Sequence, residues 1–206
     1  MRGTLMNPIY TIGYTAFKID DFIKTLRLNH ISCVIDVRSI PMSRYYLDYN
    51  KENISLVLKQ NGILYRNYIK EFGARQNNMK FYSKEGYLDF NKFTQSQQFK
   101  AGINKVLAGM QIGYIFALMC AEKDPINCHR SIMIGRQFYQ KDILVNNIMA
   151  NGATETQADL EKRLLDLYYP NRDQITLTGN YETDEELINR SYQKRNAEIG
   201  FKLEGE

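Results

Sequence analysis

Residues 116–131 read Phe-Ala-Leu-Met-Cys-Ala-Glu-Lys-Asp-Pro-Ile-Asn-Cys-His-Arg-Ser, changing abruptly from apolar to polar at Cys120. The apolar run, residues 114–119, is typical of a buried strand, and the polar run of a loop that opens a helix. Such junctions are where α/β sheets build ligand sites. Two of the chain's three cysteines and one of its two histidines lie here. We therefore expect an α/β fold with a site at this strand's carboxyl end.

The same alternation of strand and helix continues on both sides of this stretch. It predicts a three-layer α/β domain, whose mostly parallel sheet of about five strands is covered by helices on both faces. The predicted strands are residues 9–13, 31–38, 63–66, 114–119 and 143–145. The predicted helices are residues 20–28 capped by Asp20, one from Asn50, one from Ser96, residues 131–140, and one opened by a capping box at Thr154 and Gln157 and ending before Pro170.

The predicted α/β domain spans residues 1–170, and residues 171–206 form a C-terminal extension. Residues 66–95 are long, polar and aromatic, and fit the alternation badly, so we expect a lid-like excursion above the sheet. The extension is predicted to contain a helix over residues 184–196, opened by Thr183. Its narrow apolar stripe favours docking on the body or on a second subunit, which leaves a homo-oligomer open.

Composition narrows the class of protein. The 206 residues contain no apolar stretch long enough to span a membrane and no evident signal peptide. Three cysteines argue against a secreted disulfide framework, so we expect a cytoplasmic protein with reduced thiols and no membrane partner. The net charge of +4 divides into −3 for the extension and +7 for the rest. A basic body suits a phosphate, a nucleotide or a nucleic acid.

Polar side chains follow several predicted strands, and in a parallel sheet these ends meet at one edge. Asp36 and Arg38 lie two residues apart in one strand and therefore point to the same face. They form either a structural ion pair or a site in which Asp36 holds the planar fork of Arg38 for an anion. Ser43 and Arg44 follow in the next loop and could add a hydroxyl and a second guanidinium.

The residues from Cys128 to Ser131 are predicted to begin a helix, where backbone N–H groups favour anions. Arg130 and the backbone at Ser131 are therefore candidate anion-binding groups. Cys120 or Cys128 is a candidate nucleophile with His129 as its partner, and Asp36 or Glu122 a candidate acid or base. Cys120, Cys128 and His129, with Glu122 near, could instead hold zinc, but their spacing matches no common zinc ribbon or finger, so we predict no metal and no other cofactor. Cys120 could equally be a small buried hydrophobe.

Nine aromatic residues lie between residues 65 and 99, interleaved with lysines and arginines. Such a pattern can stack on bases while cations follow phosphates, although it more often packs a segment onto its own domain. Arg75, in the turn that follows Phe72 and Gly73, could lie over the strand ends as part of a lid.

Four motifs carry a resemblance to a known family. They are Cys-Ala-Glu-Lys-Asp-Pro-x-x-Cys-His-Arg at residues 120–130, Thr-Ile-Gly-Tyr at 11–14, Asp-Val-Arg-Ser-Ile-Pro at 36–41 with Ser43, and Phe-Gly-Ala-Arg at 72–75. In these motifs the chain resembles the domain of unknown function 488 family of small bacterial and archaeal proteins, over roughly residues 9–168. The resemblance supports the fold and implies no particular activity. Tyr14 and Asn147 depart from it, standing where the family usually has histidine, and Phe72-Gly73-Ala74 replaces Leu-Gly-Gly.

Two functions from different classes follow. The first is an enzyme acting on a phosphorylated or nucleotide-like small molecule through a Cys/His/Arg/carboxylate site at the strand ends. The alternative is a nucleic-acid-associated module using the basic, aromatic surface. Rhodanese or cysteine-phosphatase chemistry is disfavoured, because those enzymes need arginine six positions after the nucleophile, and Ile126 stands there after Cys120.

Overall fold

The computed structural model describes residues 6–172 and 183–203. Its helices are α1 Ile19–Leu28, α2 Lys51–Gln60, α3 Ile69–Phe72, α4 Phe90–Thr94, α5 Gln97–Gln111, α6 Arg136–Tyr139, α7 Gln157–Tyr168 and α8 Asp184–Ile199. Its strands are β1 Ile9–Gly13, β2 Cys33–Asp36, β3 Leu64–Asn67, β4 Phe116–Cys120, β5 Val145–Ile148 and β6 Thr154–Thr156. None of the described helices is long and apolar enough to cross a membrane.

The six strands form one sheet in the order β3-β2-β4-β1-β5-β6, which confirms the predicted α/β fold. All neighbouring pairs are parallel except β5 and β6. Strand β4 lies between β1 and β2, with Gly13 paired to Cys120 and Asp36 paired to Met119. The carboxyl ends of these three neighbouring strands therefore meet, and they carry three of the motifs singled out in the sequence.

Apolar side chains fill both faces of the sheet. On one face Val34, Ala117 and Met119 pack with the helices α1 and α2. On the other face Ile35 and Leu118 belong to a larger cluster that includes α5, α7 and the 66–95 segment. Burial on both sides explains why the central strands are apolar without alternation.

Four local expectations differ from the structure. The last predicted strand, residues 143–145, is displaced to Val145–Ile148, which is β5. Helix α1 is capped at Lys18, so that Asp20 lies in its first turn, where a carboxylate stabilises the N–H end of the macrodipole. Thr154 belongs to strand β6 rather than to a capping box, and Thr156 caps α7 by accepting a hydrogen bond from the N–H of Asp159. The predicted helix 131–140 is a π-helical turn, Arg130–Gly135, followed by α6.

The 66–95 segment supplies buried side chains to the larger core cluster, among them Phe72, Leu88 and Phe93. Helix α8 docks beside it, and its capping box joins Thr183 to Glu186. The side chain of Asn196 accepts a hydrogen bond from the N–H of Phe90 (2.8 Å) and donates one to the carbonyl of Leu88 (2.8 Å). Only residues 173–182 and 204–206 of the predicted extension lie outside the described residues.

We expect Asn196→Ala to lower the free energy of unfolding by about 1–3 kcal/mol, because it leaves a buried N–H and a buried carbonyl without partners. Urea denaturation should show the loss as a lower midpoint. The exposed Asn91 provides the control, and Asn91→Ala should change stability by less than about 0.5 kcal/mol. Equal effects of the two substitutions would contradict the docking role of Asn196.

Candidate active site

A cleft of about 370 Å³ opens at the carboxyl ends of β1, β2 and β4. Its size is within the range of small-molecule sites. It is lined by Tyr14, Arg38, Ser39, Ile40, Met42, Ser43, Ala74, Arg75, Cys120, Ala121, Glu122, Asn127, Cys128, His129, Ile199 and Phe201. A larger concavity of about 650 Å³ beside α1 and α2 contains no comparable group of reactive side chains.

At the end of β2, Arg38 is fixed by Asp36. Its Nε and Nη2 donate to the two carboxylate oxygens at 2.9 and 2.6 Å, and the hydroxyl of Tyr65 donates to the same carboxylate at 2.7 Å. Both members of the pair are buried, with Arg38 5% exposed. Both alternatives raised by the sequence are therefore compatible with the structure, because the pair is an ion pair and Arg38 also lines the cleft.

One of the three guanidinium nitrogens of Arg38 has no hydrogen-bond partner among the described residues. Its Nη1 is buried and makes no hydrogen bond to any described residue. The guanidinium also lies over the ring of Tyr14, with its central carbon 5.0 Å from the ring centroid. A buried donor without a partner carries an energetic cost that an anionic ligand would relieve.

The opposite wall contains four ligand-type side chains in contact. The thiols of Cys120 and Cys128 lie 3.4 and 3.1 Å from one carboxylate oxygen of Glu122, Oε2. Nδ1 of His129 lies 3.9 Å from each sulfur. The two cysteines and the histidine are buried, whereas Glu122 is exposed at the mouth of the cleft. We call these four residues the thiol cluster.

Burial and contacts within the protein shift the pKa values of all four residues of the thiol cluster. Burial would raise the pKa of Cys128, but the hydrogen bond from Cys120, the charge of Arg130 and His129 together hold it well below its usual range. The hydrogen bond with Cys128 and burial raise the pKa of Cys120. Burial would lower the pKa of His129, but contact with Cys128 and Glu122 raises it. Although the residue as a whole is exposed, the Glu122 carboxylate is turned inward against the thiols, and its desolvation, followed by Cys128, raises its pKa.

Arg130 lies behind the cleft, where it holds the loop of residues 121–124. It is fully buried, and its Nη1 donates to the carbonyl of Glu122 at 2.6 Å, its Nη2 to that of Lys123 at 3.4 Å and its Nε to the hydroxyl of Thr11 at 3.3 Å. Its donors are therefore used within the protein, and the candidate anion-binding group Arg130, unlike Arg38, does not line the cleft. Arg130 positions the loop that presents Glu122.

The remaining predicted residues divide between the cleft and its surroundings. Ser43 and Arg75 line the cleft, and the guanidinium of Arg75 lies 4.5 Å from the ring centroid of Phe201. Arg44 is exposed and outside the lining. Ser131 is fully buried and absent from the lining: its backbone N–H, the predicted anion-binding group, donates to the carbonyl of Cys128 at 3.1 Å, and its hydroxyl donates to Asn147. Asp36 also lies behind the lining and acts through Arg38 rather than directly.

Several lining residues were missed from the sequence. Ile199 and Phe201 come from the C-terminal extension, and the carbonyl of Phe201 accepts a hydrogen bond from the N–H of Leu88 (2.9 Å). No signal in the sequence connects these residues to the cleft, because they lie outside every motif. Tyr14 could have been found, since it follows β1 directly at the predicted edge.

The nine aromatic side chains between residues 65 and 99 contribute mainly to packing. None of them is exposed, and Phe72, Tyr82, Phe90, Phe93 and Phe99 are buried. Their rings are therefore not laid out on the surface as a stacking platform. Nucleic-acid binding stays a prediction, resting on the charge of the body.

Comparison with protein families gives one match, to a family described as "Domain of unknown function DUF488", over residues 18–136. The matched part contains β2, β3, β4 and the whole thiol cluster. Comparisons with curated proteins and with solved structures gave no match. The family likeness supports the resemblance read from the motifs and carries no activity with it.

Proposed function

We propose that this chain, which belongs to the DUF488 family, is an enzyme acting on a phosphorylated or nucleotide-like small molecule. The substrate's anionic group binds at Arg38, and the bond that reacts lies over the thiol cluster. The observation that carries the proposal is the unpartnered Nη1 of Arg38, in a cleft whose other wall is the thiol cluster.

Three features favour an anion at this end of the cleft. Asp36 fixes the guanidinium in one orientation, so that little freedom is lost when a ligand binds. Arg75 at the rim adds a cation whose charge no described carboxylate pairs within salt-bridge distance. The hydroxyl of Ser43 accepts the N–H groups of Tyr45 and Tyr46 at 3.2 Å, which leaves its own hydrogen to donate.

The loop carrying the other wall is held in place before any ligand arrives. Thr15 donates its hydroxyl to the carbonyl of Ala121 at 2.6 Å, Arg130 to that of Glu122, and Arg195 to that of Ile126 at 2.9 Å. A site whose groups are fixed in advance loses little energy to reorganisation, which favours catalysis over loose binding. All three cysteines are free thiols, consistent with our further proposal of a reducing, cytoplasmic location.

We expect millimolar phosphate or a nucleoside monophosphate to raise the melting temperature of the wild type. Arg38→Lys keeps a cation beside Asp36 but loses the planar fork, and Arg75→Ala removes the rim charge. Because a charge-assisted hydrogen bond contributes about 1.5–3 kcal/mol, Arg38→Lys should weaken binding about tenfold or more. Isothermal titration calorimetry and thermal shift measure the change.

Arg27, exposed on α1 and remote from the cleft, provides the matched control. Arg27→Ala should respond to the anion like the wild type. If folded Arg38→Lys and Arg75→Ala variants also respond like the wild type, the anion does not bind in this cleft and the proposed function is wrong.

A further inference from the structure

We infer that the thiol cluster is a zinc site, in which Cys120, Cys128, His129 and Glu122 bind one Zn²⁺ ion. The inference deepens the proposed function and rests on it for the role of the cleft, but its geometry can be judged independently. Its basis is the convergence of three buried ligand atoms of the right types, the two sulfurs and Nδ1 of His129, with a carboxylate oxygen of Glu122 in contact with both sulfurs.

The distances between the ligand atoms fit a tetrahedral zinc ion. With zinc bonds of about 2.3 Å to sulfur and about 2.0–2.1 Å to nitrogen or oxygen, neighbouring ligand atoms lie about 3.3–3.8 Å apart. The observed sulfur-to-oxygen distances are 3.1 and 3.4 Å, and the sulfur-to-nitrogen distances are both 3.9 Å. The two sulfurs and Nδ1 all lie within 4.8 Å of one another. The three buried ligand atoms thus already surround one point, and a modest movement of the Glu122 side chain toward His129 would supply the fourth ligand.

The imidazole of His129 is oriented for coordination through Nδ1. Its Nε2 lies 3.0 Å from the backbone carbonyl of Val37. A carbonyl can only accept, so Nε2 carries the hydrogen, and a metal ion would take the place of a proton on Nδ1. A hydrogen bond from the remote nitrogen to a carbonyl is the usual support of a histidine that binds a metal.

Adjacent residues rarely point at one ligand, and the backbone explains how Cys128 and His129 do so. Cys128 is extended, with φ −134° and ψ 137°, whereas His129 is helical, with φ −58° and ψ −23°. The change of conformation between them turns both side chains toward Cys120 at the end of β4. Sequence spacing argued against a metal because this arrangement joins a strand end to a helical turn, unlike a zinc ribbon or finger.

The donor set and its burial favour zinc of the catalytic kind. Thiolate and imidazole donors in four-coordinate geometry suit zinc, rather than magnesium or calcium, which prefer oxygen. Catalytic zinc sites keep three protein ligands and an exchangeable fourth position. Here the three buried ligands are Cys120, Cys128 and His129, and the exposed Glu122 faces the cleft as the ligand that a substrate or water can displace.

The test is metal analysis of protein purified without chelators, combined with native mass spectrometry. We expect one zinc ion per wild-type chain, and loss of most of it in Cys120→Ala and in Cys128→Ala. Cys33 is buried at the start of β2 and away from the cluster, so Cys33→Ala should keep the ion. Cobalt reconstitution of the wild type should give the thiolate-to-cobalt absorption band of a tetrahedral sulfur site, which decides the matter even if an alanine variant fails to fold.

Wild-type protein that holds neither zinc nor cobalt, with both cluster thiols reacting freely with a thiol reagent, would overturn the inference. The two proposals fail separately. Bound zinc with no response to phosphate would support the zinc site and contradict the proposed anionic substrate. A response to phosphate that depends on Arg38, in protein that holds no metal, would support the anionic substrate and contradict the zinc site.

Discussion

We expect Gly13→Ala to lower the free energy of unfolding by more than about 3 kcal/mol, because the added methyl group has no space. A Cβ atom at this position would lie 1.9 Å from the carbonyl oxygen of Glu122. That oxygen cannot move away easily, since the buried Arg130 donates a hydrogen bond of 2.6 Å to it. If the thiol cluster binds zinc as we infer, the variant should also lose most of that zinc, because relief of the clash requires displacement of the loop that carries Glu122.

Guanidinium denaturation measures the first effect and metal analysis the second. Gly113 offers a contrasting control: its φ is +97° and a Cβ there would meet nothing within 4 Å. Gly113→Ala should therefore show only the cost of a left-handed residue, about 1–2 kcal/mol. The contact argument is wrong if Gly13→Ala is no more destabilising than Gly113→Ala.

The second large effect is expected for Asp36→Asn, which should lower the free energy of unfolding by about 3–5 kcal/mol. The substitution leaves the buried charge of Arg38 without a counterion and removes an acceptor of the Tyr65 hydroxyl. Tyr65→Phe removes the hydroxyl alone and should lower the free energy of unfolding by only about 1 kcal/mol. Chemical denaturation of both variants at one pH separates the charge from the hydrogen bond.

A double substitution tests the explanation. Asp36→Asn combined with Arg38→Met removes the charge as well as its partner, and should recover much of the stability that Asp36→Asn loses. The same double variant should not respond to phosphate, since Arg38 is gone. A double variant as unstable as Asp36→Asn would mean that the loss comes from damaged packing instead of from an unpaired charge.

The sequence was sufficient for the fold because its signals are local. Apolar runs of four or five residues, ended by polar groups, place β1, β2 and β4 within a few residues of their observed bounds. The errors occur where tertiary contacts decide. Thr154 has the spacing of a capping box, but pairing with Ile148 makes it part of an edge strand.

The directions in which the site's side chains point were harder to predict from the sequence than the fold. Sequence placed Arg130 at a helix start, which is a fair position for an anion-binding group. Whether its fork meets a ligand or a carbonyl depends on the path of the 121–124 loop, which no local pattern encodes. The same holds for the C-terminal residues Ile199 and Phe201, which reach the cleft through pairing with the segment around Leu88.

Val37, the residue that follows β2, accepts the hydrogen bond of His129, and the next residue in the chain is Arg38. The thiol cluster and Arg38 are thus linked through adjacent residues of one chain segment. If Arg38 binds the anion as proposed, a backbone movement here that changes the position of its guanidinium would also move the carbonyl that orients the imidazole, so the two properties are coupled. A change of substrate preference would have to be made at the rim, at Ser43 or Arg75, where the chain can vary without turning the histidine.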